Sequence, residues 1–205
     1  QYTHLYEFAP AGYLNLTSDG IILKSNLKGA SLLGVERGNL IKRRFSSFLS
    51  GQSLSDFNAF MKLVFAGQQN EQCEVELNED GGKPIWLHIE ATLNPNSNEG
   101  AICHAVLIDI SARKEAEEKL NYLSSHDILT GLYNRAFFSE EMARLERGRS
   151  FPISIAVADV DKLKKTNDEQ GHPAGDALLK RVANILTIAF RTEDVIARIG
   201  GDEFA

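Results

Sequence analysis

Residues 159–176 read DVDKLKKTNDEQGHPAGD and follow an apolar run at 151–158 that predicts a strand. A polar turn is expected next, and apolar residues at helical spacing then predict a long helix. A second apolar run at 195–199 predicts a strand that enters the turn sequence Gly-Gly-Asp-Glu-Phe at 200–204. This order places carboxylates at the end of one strand and at the tip of a hairpin.

Carboxylates in those two places can converge on a divalent cation, because Mg²⁺ takes hard oxygen ligands and bridges substrate phosphates. The paired glycines allow positive φ in a tight turn and let a nucleotide approach the backbone. Taken alone, an acidic strand end is more often a solvated turn, and Gly-Gly-Asp-Glu is a common hairpin tip. The two features therefore gain meaning only together with a third segment.

That segment is HDILTGLYNR at 126–135, which precedes residues 159–176 and RIGGDEFA at 198–205. In order and spacing the three resemble the GGDEF family, the diguanylate cyclases, over about residues 121–205. The resemblance implies a fold similar to the palm of nucleotide polymerases and cyclases. It also implies a bacterial signalling enzyme that condenses two GTP into cyclic di-GMP and releases pyrophosphate.

The same resemblance implies a metal site and a catalytic pair. Asp159, the backbone carbonyl of Val160 and Asp202 are expected to ligate Mg²⁺ or Mn²⁺. Glu203 is expected to complete the second metal or to help deprotonate the attacking 3′-hydroxyl. Because one domain binds one GTP, two domains must face each other, which implies a homodimer.

Asn167 and Asp176 match the guanine-reading positions of the family. A carboxylate at 176 can accept from the N1 and N2 hydrogens of guanine, whereas adenine lacks that donor pair and leaves the charge unpaired. Outside the resemblance, Asn167 is better interpreted as a helix or turn cap, and Asp176 as the N-cap of the following helix.

Arg191 and Asp194 form an R-x-x-D pair shortly before the glycine turn, which matches the family's product-inhibition site. The planar guanidinium suits both the phosphate and the guanine of cyclic di-GMP. The alternative is a local ion pair at a helix end, which contributes little to stability.

The first half of the sequence predicts a different order of strands and helices. GYLNLTSDGIILKSN at 12–26 predicts a hairpin, and a helix is predicted at 53–65 with a capping box formed by Ser53 and Asp56. The remaining predicted elements are strands at 73–77, 85–93 and 101–110, a turn at 80–82 and a loop at 94–100.

Two strands, small helices and three strands, followed by DISARKEAEEKL at 109–120, resemble a PAS sensor domain over about residues 1–112. The resemblance implies a five-stranded antiparallel sheet cupped around a helix-lined cavity, which suits a small ligand or a dimer contact. No ligand is identified. The helix at 53–65 has no His for a haem, and neither cysteine lies in a flavin-photosensor motif.

Residues 113–124 are predicted to be a linker helix. Glu115 and Lys119 form a stabilising pair, and Ala116, Leu120 and Leu123 lie on one stripe. The helix is either a solvated linker or a short coiled coil between two copies of the chain. A homodimer through the PAS domain and this helix is the expected assembly.

The composition excludes several kinds of binding partner and indicates the cellular compartment. A formal net charge of -6 argues against nucleic acid, because a polyanion needs clustered Lys and Arg. Cys73 and Cys103 have no CxxC spacing, which argues against a disulfide framework or a zinc site and favours the cytoplasm. The apolar run at 153–158 is far shorter than the roughly 20 residues of a spanning helix.

The sequence therefore predicts a mixed α+β and α/β chain: a PAS domain at 1–112, the linker helix at 113–124 and the first part of a GGDEF domain at 125–205. Position 1 is Gln and the chain ends directly after the hairpin sequence, so we expect a piece of a longer protein. We expect cyclase activity of the full-length parent and none of these 205 residues alone.

Two other functions stay open. One is a catalytically silent receptor that binds cyclic di-GMP through Arg191 and Asp194. The other is a module for PAS-mediated signalling and dimerisation only. The intact Gly-Gly-Asp-Glu turn favours the enzyme, because degeneration usually damages that turn first.

Overall fold

The computed structural model describes the chain at 2–68, 71–78, 83–97, 100–148 and 152–205. The chain divides into two compact units, Gln1–Glu115 and Ala116–Ala205. Within the described ranges, no helix combines the length and the apolar composition needed to cross a membrane.

The first unit is an antiparallel sheet packed against helices. Its strands lie in the order β2-β1-β5-β4-β3. The five strands and the element order confirm the predicted PAS-like sheet. In chain order the elements are α1 (Tyr2–Glu7), β1 (Gly12–Leu16), β2 (Ile22–Ser25), α2 (Leu27–Leu32), α3 (Arg37–Leu40), a 3₁₀ turn (Phe45–Phe48), α4 (Gly51–Phe65), β3 (Glu71–Glu76), β4 (Trp86–Ser97) and β5 (Gly100–Asp109).

Alternation along the strands gives the sheet one buried face. Leu14 and Leu16 of β1 are buried, whereas Tyr13 and Asn15 lie on the opposite face. The buried face packs on α4 and on the 3₁₀ turn, whose aromatic rings meet: the centroids of Phe45 and Phe57 lie 4.8 Å apart.

A recess of about 690 Å³ lies on the face opposite this core and is lined in part by Tyr13, Glu90 and His104. The resemblance implied a cavity on the helix-covered face. On that face the side chains of Phe45, Phe57 and their neighbours are packed together as the core.

Asn26 joins three segments of the first unit and is fully buried. Its Oδ1 accepts hydrogen bonds from the backbone N–H of Tyr13 (2.9 Å) and of Gly29 (2.8 Å), the second as the N-cap of α2. Its Nδ2 donates to the carbonyls of Tyr6 (3.0 Å) and Ala11 (2.9 Å). One amide thus satisfies the ends of α1, β1 and α2.

Replacement of Asn26 by Ala is expected to lower the free energy of unfolding of this unit by about 3 kcal/mol or more, since several buried backbone groups lose their partner. Urea unfolding followed by the fluorescence of Trp86, the single tryptophan, measures the loss. Asn39→Ala on the exposed side of α3 is the control, with an expected change within about 0.5 kcal/mol. Equal losses in the two variants would contradict the role of Asn26.

The predicted capping box of α4 is wrong. The helix begins earlier, with Ser50 as N-cap in an extended conformation, so Ser53 lies inside its first turn. The Ser53 hydroxyl instead accepts a hydrogen bond from the backbone N–H of Glu76 on β3 (2.8 Å). The loop predicted at 94–100 is shorter than expected because β4 continues to Ser97, and the turn predicted at 80–82 lies outside the described residues.

The two cysteines lie on strands separated by β4, Cys73 on β3 and Cys103 on β5, and both are free thiols. Burial raises the pKa of both thiols to about 12. The charges of Asp56, Cys103 and Glu74 add to the effect of burial on the pKa of Cys73.

Because the pKa of each thiol rises from 9.0 to about 12, the thiolate fraction at pH 8 falls about a thousandfold. Iodoacetamide is therefore expected to alkylate the folded chain about a thousand times more slowly than the urea-unfolded chain at that pH. Mass spectrometry over time measures both rates. Alkylation of the folded chain at the unfolded rate would show that the thiols are not held in this environment.

The second unit begins within a helix and contains a small mixed sheet in the order β6-β8-β9-β7. β6 and β8 are parallel, and β9 is antiparallel to both β8 and β7. In chain order the elements from the linker onward are α5 (Ser111–Ser125), β6 (Tyr133–Asn134), α6 (Arg135–Arg147), β7 (Ala158–Asp159), α7 (Leu163–Gln170), α8 (His172–Ala189), β8 (Ala197–Arg198) and β9 (Glu203–Phe204).

Several predictions for this unit are confirmed. The linker is helical, as predicted. The next helix, α6, begins after Asn134, whose Oδ1 caps it by accepting from the N–H of Phe137 (2.9 Å). The helix ends before Gly148, whose N–H returns to the carbonyls of Arg144 and Leu145. The long helix predicted after residue 176 is α8, which starts earlier, at His172.

Two strands are shorter than predicted, since β7 is Ala158–Asp159 and β8 is Ala197–Arg198, and the predicted polar turn is a helix. In the described part of the apolar run, 152–158, only Ala158 pairs, because β9 offers a ladder of just two residues. The polar turn predicted after Asp161 is α7, whose Leu163 packs on the core formed with α8. A side chain that packs on a neighbouring helix overrides the local polar pattern.

Candidate active site

The carboxylates predicted at a strand end and at a hairpin tip lie on paired strands. Asp159 of β7 is the direct cross-strand partner of Glu203 of β9. The backbone N–H of Val160 donates to the carbonyl of Asp202 at 3.0 Å. Asp159 and Glu203 thus belong to one short ladder, and Val160 and Asp202 are hydrogen-bonded to each other directly beside it.

Glu203 folds back over the glycine turn. A Cβ added at Gly200 would lie 2.6 Å from Glu203 Oε2, so a side chain at this position would displace the carboxylate from its present place. Asp159 and Glu203 are exposed, whereas Val160 and Asp202 are half-buried. The turn therefore presents an acidic group to solvent beside the end of β7.

The donor set fits a hard divalent cation in chemistry, since carboxylates and a carbonyl supply oxygen only. Within the part of the chain that the structure describes, however, no three Asp, Glu, His or Cys side chains are grouped closely enough to hold a metal ion. The backbone pairing brings the four residues side by side without gathering their side chains.

The two expected guanine positions meet through Gly175. Asn167 lies in α7, and its Oδ1 is buried and accepts no hydrogen bond in the described structure. Gly175 of α8 faces this amide so closely that a Cβ there would lie 1.9 Å from Oδ1. Asp176 follows directly and is exposed. An unpaired buried acceptor beside an exposed carboxylate suits a ligand edge rich in N–H donors.

The alternative interpretations of these two residues are wrong. Asp176 is not an N-cap, because α8 begins at His172 with Gly171 before it. Asn167 lies within α7 and its side chain caps neither helix; the carbonyl of Asn167 accepts from the N–H of Gly171 (2.9 Å).

Arg191 and Asp194 lie in a tight turn after α8. The Asp194 carboxylate accepts from the backbone N–H of Arg191 (2.9 Å), and the N–H of Asp194 donates to the carbonyl of Arg191 (3.1 Å). Hydrogen bonds to the backbone of Arg191 therefore join the two residues, and the alternative interpretation of a side-chain ion pair is wrong. Both residues are exposed.

Three residues near the site were not predicted from the sequence. Lys162 precedes α7 with a φ of 64°, a left-handed conformation that is costly for a residue with a Cβ and recurs at functional sites. Asp127 and Arg198 form an ion pair (3.2 Å) beside the glycine turn. The D-x-x-T spacing from Asp127 to Thr130 is a signal for a local turn, but the pairing with Arg198 has no local signal.

The charged form of the Asp127 carboxyl is stabilised by its neighbours. Burial acts to raise the pKa of its carboxyl, but hydrogen bonds from Thr130 and the charge of Arg198 outweigh burial, so the pKa is lowered. A lowered carboxyl pKa means that the stability from this contact is present above the ordinary value of 3.8 and is lost as the pH falls below it.

Comparison with known families settles the class of each unit. A family model described as "PAS domain" matches residues 10–112, and one described as "Diguanylate cyclase, GGDEF domain" matches residues 124–205. The chain is a PAS domain followed by a GGDEF domain.

Two of the similar proteins are named as diguanylate cyclases. Probable diguanylate cyclase DgcE of Escherichia coli (strain K12) is 38% identical over 111 residues, which cover 53% of this chain and 10% of that protein. Diguanylate cyclase DgcS of Shewanella oneidensis is 33% identical over 132 residues, 60% of this chain and 44% of that protein. The chain thus spans less than half of the length of these relatives.

Among solved structures, the PAS domain of a protein from Colwellia psychrerythraea aligns with a TM-score of 0.48 at 12% identity, covering 55% of this chain and 96% of that one. The GGDEF-containing LapD of Vibrio cholerae, bound to c-di-GMP, aligns with a TM-score of 0.40 at 24% identity over 46% of this chain and 23% of that one.

The contact between Asn167 and Gly175 in the GGDEF domain gives a prediction with an unusual sign. Gly→Ala in a helix normally stabilises by about 0.4–1 kcal/mol, but Gly175→Ala is expected to destabilise α8 by about 1–3 kcal/mol because Cβ overlaps the amide. Amide hydrogen exchange along α8 measures the change. Gly38→Ala in α3, where a Cβ meets nothing within 4 Å, is the control. Slower exchange in α8 of Gly175→Ala would contradict the overlap.

Proposed function

We propose that this chain is part of a sensor-regulated diguanylate cyclase, which condenses two GTP into cyclic di-GMP and pyrophosphate in bacterial second-messenger signalling. The pairing of Asp159 with Glu203, and of Val160 with Asp202, is the observation that carries the proposal. This pairing supports the proposal because Asp159 and Glu203 lie on adjacent strands and Asp202 lies in the turn directly before Glu203. The GGDEF domain and the named cyclases among the relatives support the same activity.

Asp159, the carbonyl of Val160 and Asp202 would hold Mg²⁺ or Mn²⁺, and Glu203 would either complete the second metal site or help to deprotonate the attacking 3′-hydroxyl. The metal supplies Lewis-acid chemistry when bound: it favours ionisation of the attacking 3′-hydroxyl and neutralises charge on the pyrophosphate that leaves. Glu203 is exposed at the turn, so it can take the proton of that hydroxyl from the substrate side.

Guanine is selected at the junction of α7 and α8. The unpaired Oδ1 of Asn167 accepts an N–H of the base, and the exposed carboxylate of Asp176 accepts from the N1 and N2 hydrogens. Adenine cannot supply that donor pair, so it leaves the Asp176 carboxylate unpaired.

A homodimer is required because each GGDEF domain holds one GTP. Leu120 and Leu123 on α5 are exposed and lie on one stripe, which favours a short coiled coil over a solvated linker. The PAS domain would regulate the enzyme through this helix, in the cytoplasm. Product feedback through Arg191 and Asp194 is part of the proposal, since their turn leaves both residues exposed to a phosphate ligand.

The first test is cyclic di-GMP formation from GTP and Mg²⁺ by the full-length protein that carries this chain. Glu203→Gln is expected to lower kcat by about a hundredfold or more, because a general base is removed with little change in shape. Glu140→Gln, an exposed position on α6, is the matched control and is expected to keep full activity.

A second candidate function is a silent receptor for cyclic di-GMP, favoured by the exposed turn that joins Arg191 and Asp194. The same experiment separates the two functions. Full-length protein that makes no product but binds cyclic di-GMP, and loses that binding in Arg191→Ala, is a receptor and overturns the enzyme.

A further inference from the structure

A single arginine holds the glycine turn of the GGDEF domain from the side. Arg198 of β8 donates from Nη2 (2.5 Å) and from Nε (3.2 Å) to the carbonyl oxygen of Gly201. Its other terminal nitrogen, Nη1, donates to both carboxylate oxygens of Asp127, at 3.2 and 3.3 Å. The side chains of Arg198 and Asp127 are 14% and 24% exposed, so water screens the pair only partly.

Asp127 is a fixed partner because its own turn orients it. Its Oδ1 accepts from the N–H (2.9 Å) and from the hydroxyl (2.6 Å) of Thr130. Its backbone N–H donates to the carbonyl of Leu132 at 2.7 Å. A carboxylate fastened at several points can hold Arg198 in one orientation.

The turn that carries Asp127 is tied to the end of the linker helix by Asn134. The Oδ1 of Asn134 caps α6 by accepting from the N–H of Phe137 (2.9 Å), while its Nδ2 donates to the carbonyl of Ser124 (2.8 Å) in the last turn of α5. One amide therefore serves the start of one helix and the end of another.

Aromatic rings reinforce the same junction. Tyr122 of α5 stacks on His126 with centroids 4.0 Å apart, and Tyr133 stacks on Phe137 of α6 at 3.8 Å. His126 and Tyr133 are 4.8 Å apart and join the two stacks. The end of α5 is thus packed onto the turn as well as hydrogen-bonded to it.

We propose that Arg198 is a positioning residue for the Gly200–Gly201 turn, and that Asp127 and Asn134 connect this turn to the end of α5. Displacement of α5 then moves the carbonyl that precedes Asp202. The consequence for cyclase activity rests on the proposed function, whereas the placement of the turn does not.

The physical reason is that two successive glycines have the greatest backbone freedom, so their turn needs an external restraint. The carbonyl of Gly201 belongs to the peptide plane that leads into Asp202, and fixing that plane fixes where Asp202 and Glu203 begin. The rigid fork of an arginine can bond a carbonyl and a carboxylate at the same time, which the point charge of a lysine cannot do with the same geometry.

The first experiment measures amide hydrogen exchange by NMR on this 205-residue chain, which needs no enzyme activity. Arg198→Lys is expected to speed exchange about tenfold at the N–H groups of Ile199 and Val160, which donate to the carbonyls of Glu203 and Asp202. Arg181→Lys on an exposed position of α8 is the matched control. Equal exchange in Arg198→Lys and wild type overturns the positioning role.

Asn134→Asp tests the connection to the linker helix alone. Aspartate caps α6 as well as asparagine does, but it replaces the donor to the Ser124 carbonyl by an acceptor. Exchange at Ile199 and Val160 is expected to rise about threefold with α6 unchanged, beside Asn184→Asp as the control. Loosening confined to the end of α5 overturns the connection.

The second experiment measures steady-state kinetics of the full-length protein. Arg198→Lys is expected to lower kcat about tenfold to a hundredfold while KM for GTP stays within about twofold, because the acidic groups are displaced but the guanine site is not. Combining Arg198→Lys with Asp127→Asn is expected to cost less than the sum of the single losses.

The two experiments keep the proposals apart. Wild-type protein without cyclase activity refutes the proposed function and leaves the exchange result standing. The catalytic consequence is refuted if the wild-type protein is active and Arg198→Lys changes exchange, but kcat of Arg198→Lys stays at the wild-type value. In that case Asp127→Asn would also change kcat by the same factor with and without Arg198→Lys.

Discussion

The GGDEF site depends on the pairing of one two-residue strand, β9, with both β7 and β8. Ala197 and Ala205 exchange both hydrogen bonds (2.7 and 2.9 Å), and Val160 reaches the carbonyl of Asp202 (3.0 Å). A ladder this short has few bonds to share a distortion, so its geometry must be supported by side chains. Gly200 and Arg198 supply that support, one by the absence of a side chain and one by a rigid guanidinium.

Each unit relies on a polar side chain at a junction where apolar packing alone does not specify the path of the chain. Asn26 satisfies three backbone segments in the PAS domain, and Asn134 caps one helix while bonding the end of another. Amides suit these places because they donate and accept at once. Asn26 is buried and costly to remove, whereas Asn134 is partly exposed and can be altered without loss of the cap.

The PAS sheet was predictable because period-two alternation, as in Leu14 and Leu16, is local in sequence. Elements whose limits depend on residues far away in the sequence could not be predicted. The start of α4 depends on where Ser53 meets β3, and the extent of β7 depends on the length of β9. Asp127 and Arg198 are 71 residues apart, so no spacing rule could pair them. The motif positions were predicted from the resemblance to the family. That Asn167 and Asp176 come together through Gly175 could be learned only from the structure.

The stability of the linker helix, α5, depends mainly on contacts at its two ends. No residue of α5 is buried, and an isolated helix of about 15 residues is marginal in water. At its start Ser111 accepts from the N–H of Trp86 (3.0 Å), and Lys114 pairs with Glu74 (2.6 Å). At its end the carbonyl of Ser124 is held by the adjoining turn. Contacts at both termini therefore stabilise a helix that has no buried residue of its own.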